Sequence, residues 1–104
     1  MERNYLMADT EMPPSMSYPR FLADMEISST AKSLYVRLLD KTVNEKVSDS
    51  DGHLYTRFPI SEQMAALSKS DATVKRALLE LEQSGLLKRK RQGRGRPNKL
   101  YILT

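Results

Sequence analysis

A winged helix-turn-helix, mainly α with a small β-sheet, is the fold predicted here, in the order helix, strand, helix, helix, strand, strand. Three observations carry that expectation. Ala31–Val43 repeats apolar residues at helical spacing, Pro59–Gly85 has the form of two helices joined by a short break, and Leu86–Leu103 reads as two strands around a glycine turn. A chain of 104 residues has room for one core. We place that domain at 18–104, behind a mobile N-terminal arm at 1–17 that has no apolar period and contains Pro13-Pro14. Tyr5 and Leu6 are the candidate docking residues of the arm.

Tyr18-Pro19-Arg20-Phe21-Leu22 reads as a short extended stretch with Phe21 and Leu22 on the core. Ser28 or Ser29 is a suitable N-cap for the helix that follows. Its apolar face is Ala31, Leu34, Tyr35, Leu38, Leu39, Thr42 and Val43. The polar stretch Asn44–His53 contains Asp51-Gly52, a turn signal. Leu54–Phe58 is rich in β-formers and closed by Pro59, the pattern of a short strand. Ser61 is the expected cap of a second helix with Met64, Ala65 and Leu67 inward, and Lys69-Ser70-Asp71 the expected break. Ser70 or Asp71 caps a third helix with Val74, Ala77, Leu78 and Leu81 on its buried stripe. Gly85 stands where a helix C-terminus favours positive φ. Leu86–Arg91 and Lys99–Leu103 are the two strands of the wing.

Composition removes several function classes. There is no cysteine, so disulfides, thiol nucleophiles and Cys-ligated metals are excluded, and a single histidine excludes His-pair metal sites. No apolar run approaches the length of a spanning helix, and Glu2 and Asp9 interrupt any leader-like segment. Asp49/Asp51 lies in a polar loop, and Glu80/Glu82 at i,i+2 on a helix do not face each other. No nucleophile–base pair or phosphate loop occurs, so the expectation is a small soluble intracellular protein, not an enzyme, with no cofactor and no membrane partner. His53 reads as a surface or hydrogen-bonded residue, and Tyr35, Tyr55 and Tyr101 as core or interface.

The charge is asymmetric. Residues 1–68 carry seven basic and ten acidic side chains, whereas residues 69–104 carry ten basic and three acidic ones. Lys88, Arg89, Lys90, Arg91, Arg94, Arg96 and Lys99 follow one another with no acid between them. Such a segment attracts a polyanion, most commonly nucleic acid. On the third helix the buried stripe leaves Ser70, Thr73, Lys75, Arg76 and Glu80 outward. Short polar and basic groups at such a helix start suit a major groove, where Arg bonds guanine bidentately and a Thr methyl touches thymine. Gly93 and Gly95 let the wing tip turn tightly, and Arg94 and Arg96 there suit phosphates or a narrow minor groove. Double-stranded DNA is therefore the expected partner.

Several segments come in a specific order: Tyr18-Pro-Arg-Phe-Leu, Ala31-Lys-Ser-Leu-Tyr, Asp51-Gly-His-Leu-Tyr55 and Thr73-Val-Lys-Arg-Ala-Leu-Leu-Glu-Leu-Glu82. Gly85-Leu-Leu-Lys-Arg-Lys-Arg-Gln-Gly93 and Arg96-Pro-Asn-Lys-Leu-Tyr101 follow. Together, over about residues 18–103, they resemble the N-terminal domain of the plasmid replication initiator RepA, the RepA_N family. The resemblance implies a bacterial winged helix that binds repeated origin sites, often as a dimer, with a separate C-terminal domain and host replication proteins as further partners. By position it puts Ser70, Thr73, Lys75 and Arg76 on a recognition helix and Arg91, Arg94, Arg96 and Lys99 on the wing. It also implies a cytoplasmic location on plasmid or nucleoid DNA. The loop Asn44–Ser50 departs from the family in being more acidic and less aromatic, and Thr104 ends the chain where the family continues, so an excised domain or a short relative is expected. The arm and first helix are the expected dimer interface. The other readings are a winged-helix transcriptional regulator, which only the target site would distinguish, and a protein-docking module, in which the basic hairpin is incidental.

Overall fold

The computed structural model describes residues 5–104. Its elements are α1 (Arg20–Ala23), α2 (Ser29–Glu45), α3 (Ile60–Leu67), α4 (Asp71–Gln83), β1 (Leu87–Lys90) and β2 (Lys99–Ile102). The three longer helices pack on one another, and the antiparallel β1–β2 ribbon closes over α2 and α4. No helix among the described residues is long and apolar enough to cross a membrane.

The two helices that form most of the core each begin with a serine cap. Ser28 Oγ accepts from the Ala31 N–H at 3.1 Å, and Ser70 Oγ from the Thr73 N–H at 3.2 Å, each satisfying a donor that the first helical turn leaves free. From those starts the apolar spacing runs as expected. Leu34, Tyr35 and Leu38 of α2 are fully buried in one cluster with Val74, Leu78 and Leu81 of α4. Gly85 takes φ +75° directly after α4, which ends the helix and turns the chain into β1.

Two prolines act differently from the expectation. Pro19 opens the short helix α1 where an extended stretch was predicted, and Pro59, not Ser61, is the N-cap of α3. Proline has φ preset near the helical value and lacks the N–H that a helix start cannot use, so it suits the first positions of a helix. Leu22 is consequently buried, while Phe21 lies at the surface with its ring edge-on to Tyr35. In α3, Ala66 turns inward and Ala65 outward, the reverse of the predicted placement. Gln63 is buried and donates from Nε2 to the Phe58 carbonyl at 2.6 Å. Val43 of α2 is exposed rather than buried.

The predicted strand Leu54–Phe58 is reduced to two isolated bridges. Leu54 pairs with Ser48 of the preceding loop, and Thr56 pairs with Leu100 through bonds of 3.0 and 2.8 Å. Pro59 has no N–H to extend that ladder. In the arm, Tyr5 is 92% and Leu6 75% exposed, so neither is docked; the first four residues of the arm lie outside the described residues.

Carboxylates hold the chain on either side of this bridged segment. Glu45 accepts from Thr56 Oγ1 at 2.6 Å and Lys41 Nζ at 3.0 Å. The Thr56 bond foremost keeps its carboxyl below the usual range, against partial burial. Desolvation opposes ionisation of Asp49, but bonds from the His53 N–H, the Tyr101 hydroxyl and the Asp51 N–H together outweigh it and lower its pKa. A depressed folded-state pKa stabilises the fold above the unfolded value, near pH 4 for these groups, and that contribution is lost as pH falls through the folded value. Thermal melts are therefore expected to show Tm falling on acidification from about pH 5 to 3. Asp49→Asn should lower Tm at neutral pH and leave it less sensitive to acid.

Candidate nucleic-acid interface

The helix-turn-helix is α3, the turn Ser68-Lys69-Ser70 and α4. Ser68 adopts φ +53°, which stops α3 in a left-handed cap and redirects the chain toward Ser70. The predicted recognition residues all lie in the first half of α4 or at its cap, but their side chains are engaged differently. Ser70 is exposed and spends its hydroxyl on the cap, bonding Thr73 Oγ1 at 3.0 Å as well as the Thr73 N–H. Thr73 is half-buried. Lys75 is exposed and pairs with Asp71 at 2.9 Å. Such a surface pair contributes little to stability and is readily exchanged for another anion. Arg76 is exposed and has no ion-pair partner among the described residues.

Glu80 does not continue that outward line. Its Oε2 accepts from Ser28 Oγ at 2.5 Å and from the Ser28 N–H at 3.3 Å. The carboxylate thereby reaches the start of α2, where an anion is favoured by the helix dipole, and fixes α4 against α2. The spacing of Glu80 on α4 could not reveal this bond, because its partner lies 52 residues away.

The wing divides its charge between two faces. Register pairs Lys88 with Tyr101, Arg89 with Leu100 and Lys90 with Lys99. Successive side chains of a strand point to opposite faces, so Arg89 turns with Leu100 toward the helices, and Lys88 and Lys90 turn away. Arg89 pairs with Glu82 of α4 and is removed from the free charge of the hairpin. Lys99 is half-buried with its ammonium 4.7 Å from the centre of the Tyr55 ring, and Arg57 lies over the same ring at 5.4 Å. Lys99 thus sits at the base of the wing. Arg91, Arg94 and Arg96 are exposed and carry no ion pair among the described residues.

At the tip, the Arg96 N–H donates to the Gly93 carbonyl at 3.4 Å, with Gly93 at φ +97° and Gly95 at φ +72°. A β-carbon at either glycine would meet no protein atom within 4 Å. Backbone conformation, rather than packing, therefore calls for glycine there. Arg94 and Arg96 are exposed on this tip. The grouped Asp49, Asp51 and His53 side chains lie apart from these cations, in the loop before Leu54.

The model of the family described as Replication initiator protein A (RepA) N-terminus matches residues 18–104. Three solved structures share the fold. One described as the N-terminal domain of a DNA binding protein has a TM-score of 0.74 and 22% identity, covering 99% of this chain and 85% of its own. A Rep–DNA complex gives 0.74 and 24% identity over 88% of this chain and 75% of its own. An MDR initiator gives 0.71 and 22% identity over 88% and 77%. Curated protein sequences provide no match. These likenesses make the helix-turn-helix and ribbon a winged-helix arrangement, as the sequence predicts.

Proposed function

The chain belongs to the Replication initiator protein A (RepA) N-terminus family, and on that premise we propose that it binds double-stranded DNA at repeated sites of a plasmid replication origin. Arg76 reads base edges from the start of α4, with Ser70, Thr73 and Lys75 contacting the surrounding backbone. The wing, through Arg91, Arg94 and Arg96 with Lys99 at its base, holds phosphates or enters the minor groove. The protein acts as a homodimer, matching the two-fold logic of repeated sites, and recruits catalysis from other proteins rather than supplying it.

One observation carries the reading: three exposed arginines without ion-pair partners among the described residues, Arg91, Arg94 and Arg96, lie in the segment between β1 and β2, the ribbon that follows a capped helix-turn-helix. Unpaired, solvated arginines offer their whole charge to a polyanion, and each phosphate neutralised releases counterions. A fold neighbour solved in a Rep–DNA complex supports DNA as that polyanion.

The test is the double variant Arg94→Ala/Arg96→Ala. It is expected to weaken binding to every duplex alike, and to reduce the slope of log K against log salt by about 1 for each phosphate no longer neutralised. Binding with an unchanged salt slope would remove the wing from the interface.

A further inference from the structure

We propose that Gln63 is a positioning residue for the wing: its buried side-chain oxygen receives the Asn98 amide when duplex seats the wing against α3. This rests on the duplex reading above. Gln63 is 1% exposed, and its Nε2 donates to the Phe58 carbonyl at 2.6 Å. That bond fixes which way the amide faces, because a carbonyl accepts only from the nitrogen, and it leaves Oε1 on the other side. Among the described residues, Oε1 is the one buried side-chain polar atom with no hydrogen-bond partner. Native proteins pair nearly all such atoms, since an unmatched buried acceptor forfeits the bond it had with water. An orphan of this kind points to a second arrangement in which it is matched.

The missing donor borders the same space. A cavity of about 380 Å³ lies between the start of α3 and the segment leading from the wing tip into β2, and Gln63, Leu78, Arg89, Arg96 and Asn98 line it. Three of these side chains can donate. Arg89 is taken by Glu82, and Arg96 is exposed. Asn98 is half-buried, and its amide makes no hydrogen bond among the described residues. Gly93 and Gly95, both at positive φ, provide the hinge on which residues 96–98 can move while the β1–β2 register stays fixed. Charge makes that movement depend on DNA. Bringing Asn98 inward carries the Arg96 guanidinium out of water and toward Arg89, which desolvation and like-charge repulsion oppose in the free protein. A phosphate on Arg96 removes the opposition, so the wing and the helix-turn-helix seat together.

The experiment is a double-mutant cycle on Gln63→Met and Asn98→Ala, read by anisotropy with random-sequence duplex and by thermal melts of the free proteins. Asn98→Ala is expected to leave the Tm of the free protein unchanged and to weaken duplex binding at least about fivefold. Its salt slope should equal that of the wild type, because no charge is lost. In the Gln63→Met background the same substitution should change affinity by less than about twofold. Equal losses in both backgrounds would make Asn98 a direct DNA contact and overturn the role of Gln63. Wild-type affinity in Asn98→Ala would overturn it too, and leave the cavity to water. Where Gln63→Met does not melt cooperatively, the Asn98 side-chain NH2 signals of the wild-type protein decide. Slower hydrogen exchange on adding duplex is expected there, and unchanged exchange would overturn the proposal. A wild-type protein that binds no duplex would remove the duplex reading and this role with it, whereas the other adverse outcomes overturn the role of Gln63 alone.

Discussion

Leu81→Ala is expected to cost about 2–5 kcal/mol of folding free energy. Leu81 is fully buried in the middle of the core, on the helix that packs against both α2 and the ribbon. Truncating the side chain there leaves a cavity bounded by elements that cannot close it without moving α4. Small domains have only about 5–15 kcal/mol in total, and each kcal/mol shifts Tm by about 4–8 °C at this size. A drop of at least about 8 °C in a thermal melt follows from the lower figure. Because α4 also carries Arg76, duplex affinity near the melting temperature should fall with the fold and recover on cooling. An unchanged melt would mean that the α2–α4 contact is not the centre of the core.

The second large effect is specific to function. Arg76→Ala should lower affinity for a selected preferred site by about 1–3 kcal/mol, roughly 5- to 150-fold, and relax preference at the base it reads. Affinity for random duplex should change much less, since most of that binding comes from phosphates. Arg76 is singled out because Lys75 is tied to Asp71, the Ser70 hydroxyl serves the helix cap, and Glu80 is drawn to Ser28. Equal losses on preferred and random duplex would make Arg76 a phosphate contact instead.

Those two side chains also show what was legible in the sequence and what was not. Leu81 and the stripe around it announce themselves by helical spacing, and Ser28 and Ser70 by capping chemistry local to the first turn. The glycine turn of the wing is equally local. Glu80 and Arg89 were misleading in the sequence because their partners are set by tertiary packing: two residues counted as exposed charges are ties between α4 and its neighbours. The prolines show another limit. Before a proline the chain favours extended conformations, yet Pro19 and Pro59 themselves start helices. The strand Leu54–Phe58 had the right composition, but its pairing depends on where the loop before it delivers Thr56, which local pattern does not encode. Arg91, Arg94 and Arg96 were legible as cations, and only the structure shows that they alone of the arginines between Leu87 and Leu103 lack an ion-pair partner among the described residues.

The central claim, duplex binding through the helix-turn-helix and wing, is tested most directly by fluorescence anisotropy with a labelled random-sequence duplex, titrated at several salt concentrations. A steep linear decline of log K against log salt, reflecting several phosphate contacts, is the predicted result. No binding even at about 50 mM salt, where such contacts are strong, would contradict it and leave the hairpin without a role on DNA.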